Sequence, residues 1–362
     1  MTTHGHTRIE VADALRGMAI VGIILFHAVE SFDAFSTEAH LSLSNDETVY
    51  HLTTLLFSGK MYGIFALLFG LTFHIMLSGS MSPLRFVWRM ILLFLIGMLN
   101  IAFYDGDILT TYALCGLLLI PCNRLNNRWL SVLTILVLLQ PVELYQLLSG
   151  SSMDSDWIWS DYALLSRHHQ ESGFWQNVVL NLHYAFPANI GYFALTGRLT
   201  QTFGLFLLGL LFARWRLFSD EGHHRLIWRI ILGVGLIVAI VGNNIDLGVC
   251  SHWLTPIVNL ALLLAETAAV VLLWYGSSSM RRLLKVLCPF GRMSLSNYLL
   301  QSVLGCLLFY GWGMGLYRHL GHTAALLVGI GMVFLQFILS HLWARRHQRG
   351  PAESLWRWAT WF

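Results

Sequence analysis

Residues 13–32, DALRGMAIVGIILFHAVESF, form an apolar run with an arginine near its start and a histidine near its end. Ten residues separate Arg16 from His27, so on an α-helix the imidazole lies about 16 Å further along the axis than the guanidinium. A run of this length reaches deep into the hydrocarbon of a bilayer, which is about 30 Å thick. The pattern predicts a membrane-spanning helix, and an ionisable ring at that depth calls for a functional explanation.

The same apolar character recurs along the whole chain. Of the 362 residues, 56% are hydrophobic and 11% are charged, and the mean hydropathy is +0.63. This composition excludes a soluble domain with a polar surface and predicts a polytopic membrane protein. Ten stretches are long and apolar enough to be candidate spans: 14–32, 52–78, 84–104, 107–122, 129–148, 198–214, 227–245, 254–275, 294–316 and 323–343.

The distribution of basic residues predicts the orientation of this bundle, because lysine and arginine favour loops on the cytoplasmic side. The arginine clusters fall on one side of the membrane if both termini are cytoplasmic, and most acidic residues then collect on the other side. We therefore predict an all-α fold, a polytopic membrane helix bundle of about ten transmembrane helices. It forms a single integral membrane domain over residues 1–362 with both termini in the cytoplasm.

One further apolar segment, residues 174–196, does not fit the scheme as a span, because another crossing would move every later arginine cluster to the outside. We predict that it is a re-entrant or interfacial helical segment interrupted at Pro187. With the stretch before it, it makes up an extracytoplasmic loop and lid-like segment over residues 149–197. The alternative is a packing helix that only covers the bundle.

Ionisable side chains within the predicted spans are few, and each costs roughly 2.5–3.5 kcal/mol at the bilayer centre unless it is paired or hydrated. His27 and Glu30 lie one turn apart on the first span, so the carboxylate can orient or charge the imidazole. Lys60 enters from the second span at a similar depth. These three residues are the candidate catalytic groups, and the alternative is that His27 only bonds a neighbouring backbone carbonyl.

A tight turn, Asp105-Gly106-Asp107, separates the third and fourth candidate spans. Gly106 permits the turn, and Asp107 is placed to cap the following helix. Capping alone explains the pair. The functional alternative is that Asp105 and Asp107 bind a polyol or cationic acceptor at the mouth of a cavity.

A second polar set lies at the predicted cytoplasmic boundary. Arg292 precedes Asn297 and Gln301, which share one face of the ninth span. With Arg16, Arg85 and Arg89, this stripe is what a phosphorylated donor needs, because guanidinium groups match phosphate oxygens. The alternative is that the two amides only hydrogen-bond neighbouring helices.

Several stretches together resemble the YeiB-like bacterial inner-membrane proteins of unknown function. They are RIEVADALRGMAIVGIIL, GKMYGIFALLFGLTF, GDILTTYALCGLLLIP, GRMSLSNYLLQS and GPAESLWR. That family is distantly similar to the transmembrane acyltransferases, including the acyltransferase-3 group and the heparan glucosaminide acetyltransferases. The acyltransferase-3 pattern of a basic residue, ten intervening residues and a histidine is met by Arg16 and His27. Its paired arginines are met loosely by Arg85 and Arg89, whose spacing is one residue longer.

This resemblance implies an acyltransferase of the bacterial inner membrane. The arginines would hold an acyl-CoA at the cytoplasmic rim, and His27 would take a proton from the hydroxyl or amine of a small-molecule or glycan acceptor. Glu30 or Lys60 would steady the charge. The alternative from another functional class is a transporter or channel for a small polar solute or lipid, in which the same charges form a binding site or proton relay.

Other partners and cofactors find little support in the sequence. The five cysteines are scattered without a CxxC pair, and most histidines lie in loops, so no metal site is expected. The arginines follow membrane boundaries and form no basic patch, which argues against nucleic acid and leaves membrane lipids as the surroundings.

Overall fold

The computed structural model describes residues 8–34, 43–79, 81–150, 155–219, 222–244 and 248–362. The regular elements of this part are helices. The first nine are α1 (Glu10–Val29), α2 (Asp46–Phe57), α3 (Met61–Ser78), α4 (Pro83–Ile101), α5 (Leu109–Cys122), α6 (Asn127–Leu138), α7 (Pro141–Ser149), α8 (Asp156–Glu171) and α9 (Phe174–Leu180). The others are α10 (Phe186–Leu195), α11 (Arg198–Arg214), α12 (Arg225–Asn244), α13 (Ser251–Gly276), α14 (Ser278–Lys285), α15 (Cys288–Arg292), α16 (Ser294–Phe309), α17 (His322–Ala344) and α18 (Pro351–Trp361). The predicted all-α class is thus seen throughout the described residues.

The number of spans differs from the prediction of ten. Within the described residues, six helices are individually long and apolar enough to cross a membrane, and eight spans result if each of two bent helix pairs counts as one. Two further predicted spans correspond to α5 and α16, which have 14 and 16 residues. At 1.5 Å per residue they reach only about 21–24 Å, short of the hydrocarbon thickness.

Helix α1 lies at the centre of the bundle and packs against α3, α15 and α17. Its small residues permit this burial, because alanine and glycine recur along both faces. Helices α3 and α11 also approach each other closely, because Gly70 faces the backbone of Phe206 and Gly209 faces the backbone of Leu67. A Cβ atom at either glycine would overlap the opposing carbonyl oxygen, so these two helices meet backbone to backbone.

The outer helices present apolar side chains to the surroundings. On α12 the side chains of Leu226, Ile230, Ile237 and Ile240 are exposed, and α17 exposes Leu327 and Phe334 in the same way. A contiguous apolar surface of this extent is typical of contact with lipid.

The segment over 174–196 is helical, but its predicted interruption at Pro187 is wrong. A π-helical turn, Asn181–Ala185, joins α9 to α10, and Pro187 lies in the first turn of α10. The wider hydrogen bonding of this turn accommodates the missing N–H of proline. The chain bends instead at Gly197, whose φ is +67°, and the axis turns by 75° between Phe174–Leu195 and α11.

Candidate functional site

Three cavities lie next to one another inside the bundle. The first, which we call the arginine cavity, has a volume of about 510 Å³, and the last, the carboxylate cavity, has about 660 Å³. Between them is a neck of about 90 Å³. The arginine cavity and the neck share the lining residues Ile23, Tyr62, Ile108 and Tyr298. The neck and the carboxylate cavity share Phe26, His27, Gly106, Phe193 and Arg198.

The arginine cavity has a strong excess of positive charge. Its walls carry one carboxylate, Glu353, and six arginines: Arg8, Arg16, Arg89, Arg292, Arg349 and Arg357. Glu353 already accepts hydrogen bonds from the backbone N–H groups of Leu295 at 2.7 Å and Ser296 at 3.2 Å. These N–H groups partly offset the negative charge of Glu353, so the arginines dominate the charge of the cavity. The cavity is therefore suited to binding a polyanion.

Three of the predicted donor-binding arginines, Arg16, Arg89 and Arg292, line this cavity. Arg16 is fixed on α1, because its guanidinium donates to Thr72 Oγ1 at 2.5 Å and to Asp13 Oδ1 at 3.2 Å. The fourth, Arg85, is not among the lining residues. Its guanidinium lies 4.3 Å from the ring centre of Trp361, which does line the cavity.

The two predicted amides lie elsewhere. Asn297 donates from Nδ2 to the carbonyl of Phe290 at 3.1 Å and to Ser340 Oγ at 3.0 Å, so it ties α16 to α15 and α17. Gln301 is fully buried, and its Nε2 lies 3.3 Å from Ser302 Oγ. Neither side chain lines the arginine cavity, the neck or the carboxylate cavity, and Asn297 makes the helix-to-helix contacts of the alternative interpretation.

His27 lies where the neck meets the carboxylate cavity. It comes from the last turn of α1, and its Nδ1 is 2.8 Å from the hydroxyl of Tyr104. The tyrosine follows α4 and is fully buried. The Asp33 carboxyl interacts with the same hydroxyl. One ring nitrogen of His27 is therefore hydrogen-bonded to a buried hydroxyl. This bond orients the ring, which lines the neck and the carboxylate cavity.

Carboxyl groups and aromatic rings surround the other side of His27. Glu30, Asp33 and Asp105 line the carboxylate cavity. Helices α8 and α10 also line this cavity and contribute Trp159, Tyr162, Asn189 and Tyr192 among others. Part of the lid-like segment thus covers this cavity, and residues 151–154 of that segment lie outside the described residues.

Asp107 does not line any of these three cavities. It is fully buried and accepts hydrogen bonds from the backbone N–H of Thr110 and from Asn100 Nδ2, both at 3.0 Å. These contacts stabilise the start of α5, as the capping interpretation predicts. The whole turn lies inside the protein, since Asp105 is 1% exposed.

The environment of Asp105 shifts its ionisation. Burial raises the pKa of Asp105 to about 7, and backbone N–H groups of the turn oppose this rise. Burial and the neighbouring Asp105 also raise the pKa of Asp33. His169 lies behind the pair, with Nε2 3.9 Å from Asp105 Oδ1, and burial lowers its pKa to about 4. At neutral pH, His169 is therefore uncharged and both carboxyl groups are partly protonated.

Lys60 is buried behind the wall of the site and does not line the neck or the carboxylate cavity. It lies at the break between α2 and α3, and its Nζ donates to the carbonyl of Thr54 at 3.3 Å. Glu266 of α13 lies close enough to attract it. The structure thus places Lys60 near a carboxyl group of α13, and Lys60 does not line the cavities that His27 lines.

Arg198 is a site residue that the sequence analysis did not identify. It follows Gly197 at the start of α11 and lines both the neck and the carboxylate cavity. Its guanidinium lies 4.9 Å from the ring centre of Tyr192 and 5.8 Å from that of Tyr62. Among the described residues, no carboxylate lies within 4 Å to form an ion pair with it. One feature of the sequence could have identified Arg198: it is an isolated arginine on the side of the predicted bundle where acidic residues predominate.

Within the described residues, no three histidine, cysteine or acidic side chains are grouped so that they could hold a metal ion.

Comparison with known proteins finds a family match in each half of the chain. Residues 8–172 match the family described as the catalytic region of heparan-alpha-glucosaminide N-acetyltransferase. Residues 212–362 match a family described as a protein of unknown function, DUF418. The first match contains Arg16, His27 and Asp105, and the second contains Arg292 and α18.

Similar proteins extend over nearly the full chain. The uncharacterized protein YxaH of Bacillus subtilis (strain 168) is 27% identical over 98% of this chain and 94% of its own length. The uncharacterized protein YeiB of Escherichia coli (strain K12) is 27% identical over 96% of this chain and 95% of its own. No solved structure matches the chain. Together these similarities support a relationship of the chain to the YeiB-like proteins and to the transmembrane acyltransferases.

Proposed function

We propose that the protein is an integral membrane acyltransferase that moves an acyl group from an acyl-CoA-type donor to a hydroxyl or amine acceptor. The observation that carries this proposal is the arrangement of the cavities. A positively charged cavity and an acidic, aromatic one meet at a narrow neck, and His27 lies at their junction. Donor and acceptor would enter from opposite sides and meet at one ring.

The dimensions and charge of the arginine cavity fit such a donor. The phosphates of a CoA thioester would bind the arginine side chains, and its pantetheine arm would enter the neck. That arm has as many chain bonds as about four residues of extended peptide and spans about 14 Å. Arg16 and His27 are about 16 Å apart along α1. A donor held at Arg16 would therefore bring its thioester close to His27.

The reaction follows ordinary acyl-transfer chemistry. The acceptor hydroxyl or amine attacks the thioester carbonyl, and neutral His27 removes its proton through Nε2, because Tyr104 occupies Nδ1. A C–O or C–N bond forms as the C–S bond breaks, and the proton passes from His27 to the departing thiolate. The hydrogen-bonded Tyr104 holds the ring in the orientation that this transfer requires.

Arg198 supplies the positive charge that this step needs. The carbonyl oxygen becomes negative as the tetrahedral intermediate forms, and a fixed guanidinium in a confined site stabilises such a charge. Arg198 is suited to this role because it lines the neck beside His27 without a paired carboxylate among the described residues. Lys60 does not line the neck, and in this proposal it pairs with Glu266 and has a structural role.

The carboxylate cavity supports a polar acceptor such as a polyol or a sugar. Glu30, Asp33 and Asp105 offer hydrogen-bond acceptors to this cavity, and aromatic rings from α8 and α10 offer apolar faces. This combination suits a small-molecule or glycan acceptor with several hydroxyl groups. In a bacterial cytoplasmic membrane, the arginine cavity would face the cytoplasm, where acyl-CoA is made.

Release of free thiol from acetyl-CoA tests this proposal. Purified protein is incubated with acetyl-CoA and a set of sugars, amino sugars and polyols, and thiol and acylated product are both measured. We expect His27→Gln to lower the rate by about 10²–10⁴-fold, as is typical for loss of a general base. His341→Gln is the matched control, because His341 lies on α17 and bonds the carbonyl of Phe337.

The outcomes separate the two functional classes. Thiol release by the wild type and the control but not by His27→Gln supports the transferase. A wild-type rate in His27→Gln removes the base role. Failure of the wild type to consume acetyl-CoA with any acceptor contradicts the transferase and favours a carrier.

A further inference from the structure

The C-terminal helix α18 forms one wall of the arginine cavity. Its residues Glu353, Trp356, Arg357 and Trp361 all line the cavity, and the last three lie three, four and eight residues after Glu353, which places all four on one face of the helix. The opposite face carries Leu355, Trp358 and Phe362, and all three are exposed. The helix is therefore amphipathic, with a charged and aromatic face turned inward.

Specific contacts hold this inward face in place. Trp356 donates from Nε1 to the carbonyl of Arg89 at 3.1 Å, and Trp88 donates to the carbonyl of Ala359 at 2.9 Å. Glu353 accepts from Ser296 Oγ at 2.5 Å. Because α4 and α16 are both fixed to α18, the helix is a built part of the cavity and not a loosely attached tail.

This wall concentrates positive charge, and no ion pair among the described residues neutralises Arg89, Arg292 or Arg357. The Arg89 guanidinium stacks 3.5 Å from the ring centre of Trp356, and Arg357 lies close enough for the two charges to repel. The Nε atoms of Arg89 and Arg292 are buried and have no hydrogen-bond partner among the described residues. The protein therefore leaves hydrogen-bonding capacity on both of these guanidinium groups, and both residues line the cavity.

We infer that α18 binds the nucleotide end of the donor. This inference rests on the proposed function and adds the part of the donor that this helix recognises. The phosphates lie against Arg89, Arg292 and Arg357, and the planar base stacks on the indole of Trp361, which lines the cavity and is 44% exposed. Arginine matches phosphate oxygens, and tryptophan offers a broad ring for stacking. The wall therefore distinguishes nucleotide-bearing thioesters from simple ones.

Two donors that share the thioester and differ in the nucleotide test this inference. Rates are measured with acetyl-CoA and with acetyl-pantetheine, which lacks the phosphates and the base. We expect Arg357→Gln and Trp361→Ala to raise KM for acetyl-CoA about ten- to hundredfold, the loss typical of one charge-assisted contact. Their kcat and KM for acetyl-pantetheine stay at wild-type values. The matched control is Trp358→Ala on the opposite face of α18, which leaves both donors unaffected.

Direct binding separates this inference from the transfer reaction. Wild-type protein should bind adenosine 3′,5′-bisphosphate in calorimetry, and Arg357→Gln should weaken that binding by a similar factor. If the wild type transfers no acyl group but binds this nucleotide through Arg357, the proposed function fails and the nucleotide site stands. If both variants lower the rates with the two thioesters equally, or leave nucleotide binding unchanged, α18 does not recognise the nucleotide.

Discussion

At the scale of single residues, His27 and Arg198 matter most, because they are the ionisable groups that line both the neck and the carboxylate cavity. They come from the end of α1 and the start of α11. Each side chain is oriented by aromatic neighbours, His27 by Tyr104 and Arg198 by Tyr62 and Tyr192. In the proposed reaction, His27 accepts the proton of the acceptor, and Arg198 stabilises the negative charge on the carbonyl oxygen.

Substitution of Arg198 tests this division of roles. We expect Arg198→Gln to lower kcat by about 10²–10³-fold with little change in KM for the donor, because the lost contact forms with the developing oxyanion. Arg198→Lys keeps the charge but loses the planar fork, so its rate should be intermediate. Arg214→Lys at the other end of α11 is the control. A wild-type kcat in Arg198→Gln would exclude the proposed role.

Asp105 makes the stability of the protein depend on pH. Its pKa rises from 3.8 to about 7 on burial, so the folded state binds a proton that the unfolded chain has already released. The free energy of unfolding therefore falls as the pH rises through this range, by about 4 kcal/mol for a shift of this size. The full stabilisation is present only below the lower pKa.

Thermal unfolding at pH 5 and pH 8 measures this effect. The melting temperature of the wild type should fall between the two values, and Asp105→Asn should reduce the fall, since an amide does not titrate. Some pH dependence of the melting temperature should remain in Asp105→Asn, because the pKa of Asp33 is raised as well. Asp156→Asn on the exposed start of α8 should behave like the wild type. Equal falls for Asp105→Asn and the wild type would show that Asp105 is ionised in the folded protein.

At the scale of elements, the bend before α11 positions Arg198. Gly197 has a φ of +67°, a conformation that costs a residue with a side chain about 1–2 kcal/mol. A Cβ atom there would lie 2.8 Å from Gln140 Oε1 and 2.9 Å from Glu143 Oε1. The 75° change in direction therefore depends on glycine, and the direction of α11 places Arg198 at the neck.

Gly197→Ala should accordingly lower both the melting temperature and the transfer rate. The expected loss of stability is about 1–2 kcal/mol, with a larger relative loss of activity because Arg198 is the next residue. Gly331→Ala in α17 is the control, because a Cβ atom there meets nothing within 4 Å. In a helix interior this control should be neutral or slightly stabilising. Unchanged activity in Gly197→Ala would separate the bend from the site.

Much of the element pattern could be predicted from the sequence, and the reasons for the exceptions are local. Helix α1 and the cap provided by Asp107 follow from apolar length and turn chemistry, both of which are encoded by adjacent residues. The π-helical turn before Pro187 depends on how α9 and α10 pack, so the predicted interruption was wrong. Arg198 escaped notice because its importance comes from tertiary proximity to His27, which lies far away in the chain.

At the scale of the whole molecule, two short helices lie beside the arginine cavity. Helices α5 and α16 are shorter than the hydrocarbon thickness, and both contribute lining residues to the arginine cavity, among them Tyr112 and Tyr298. The buried turn at Asp105 precedes α5, so irregular backbone lies inside the protein, where it lines a cavity.

The two ends of the described chain meet at the arginine cavity. Arg8, before α1, and Trp361, in α18, both line it, which places the start of α1 and the C-terminal helix on one side of the bundle. Common placement of both ends agrees with an even number of crossings. The assignment of that side to the cytoplasm stays a prediction from the arginine distribution.

The central claim is that the arginine cavity, the neck and the carboxylate cavity form one path with His27 at the junction. A structure of the protein with a non-transferable CoA thioether tests it most directly. We expect density for the pantetheine arm through the neck, with its sulfur within about 4 Å of the His27 ring, close to a reactive geometry. An analogue bound outside the neck, with its sulfur remote from His27, would contradict the claim.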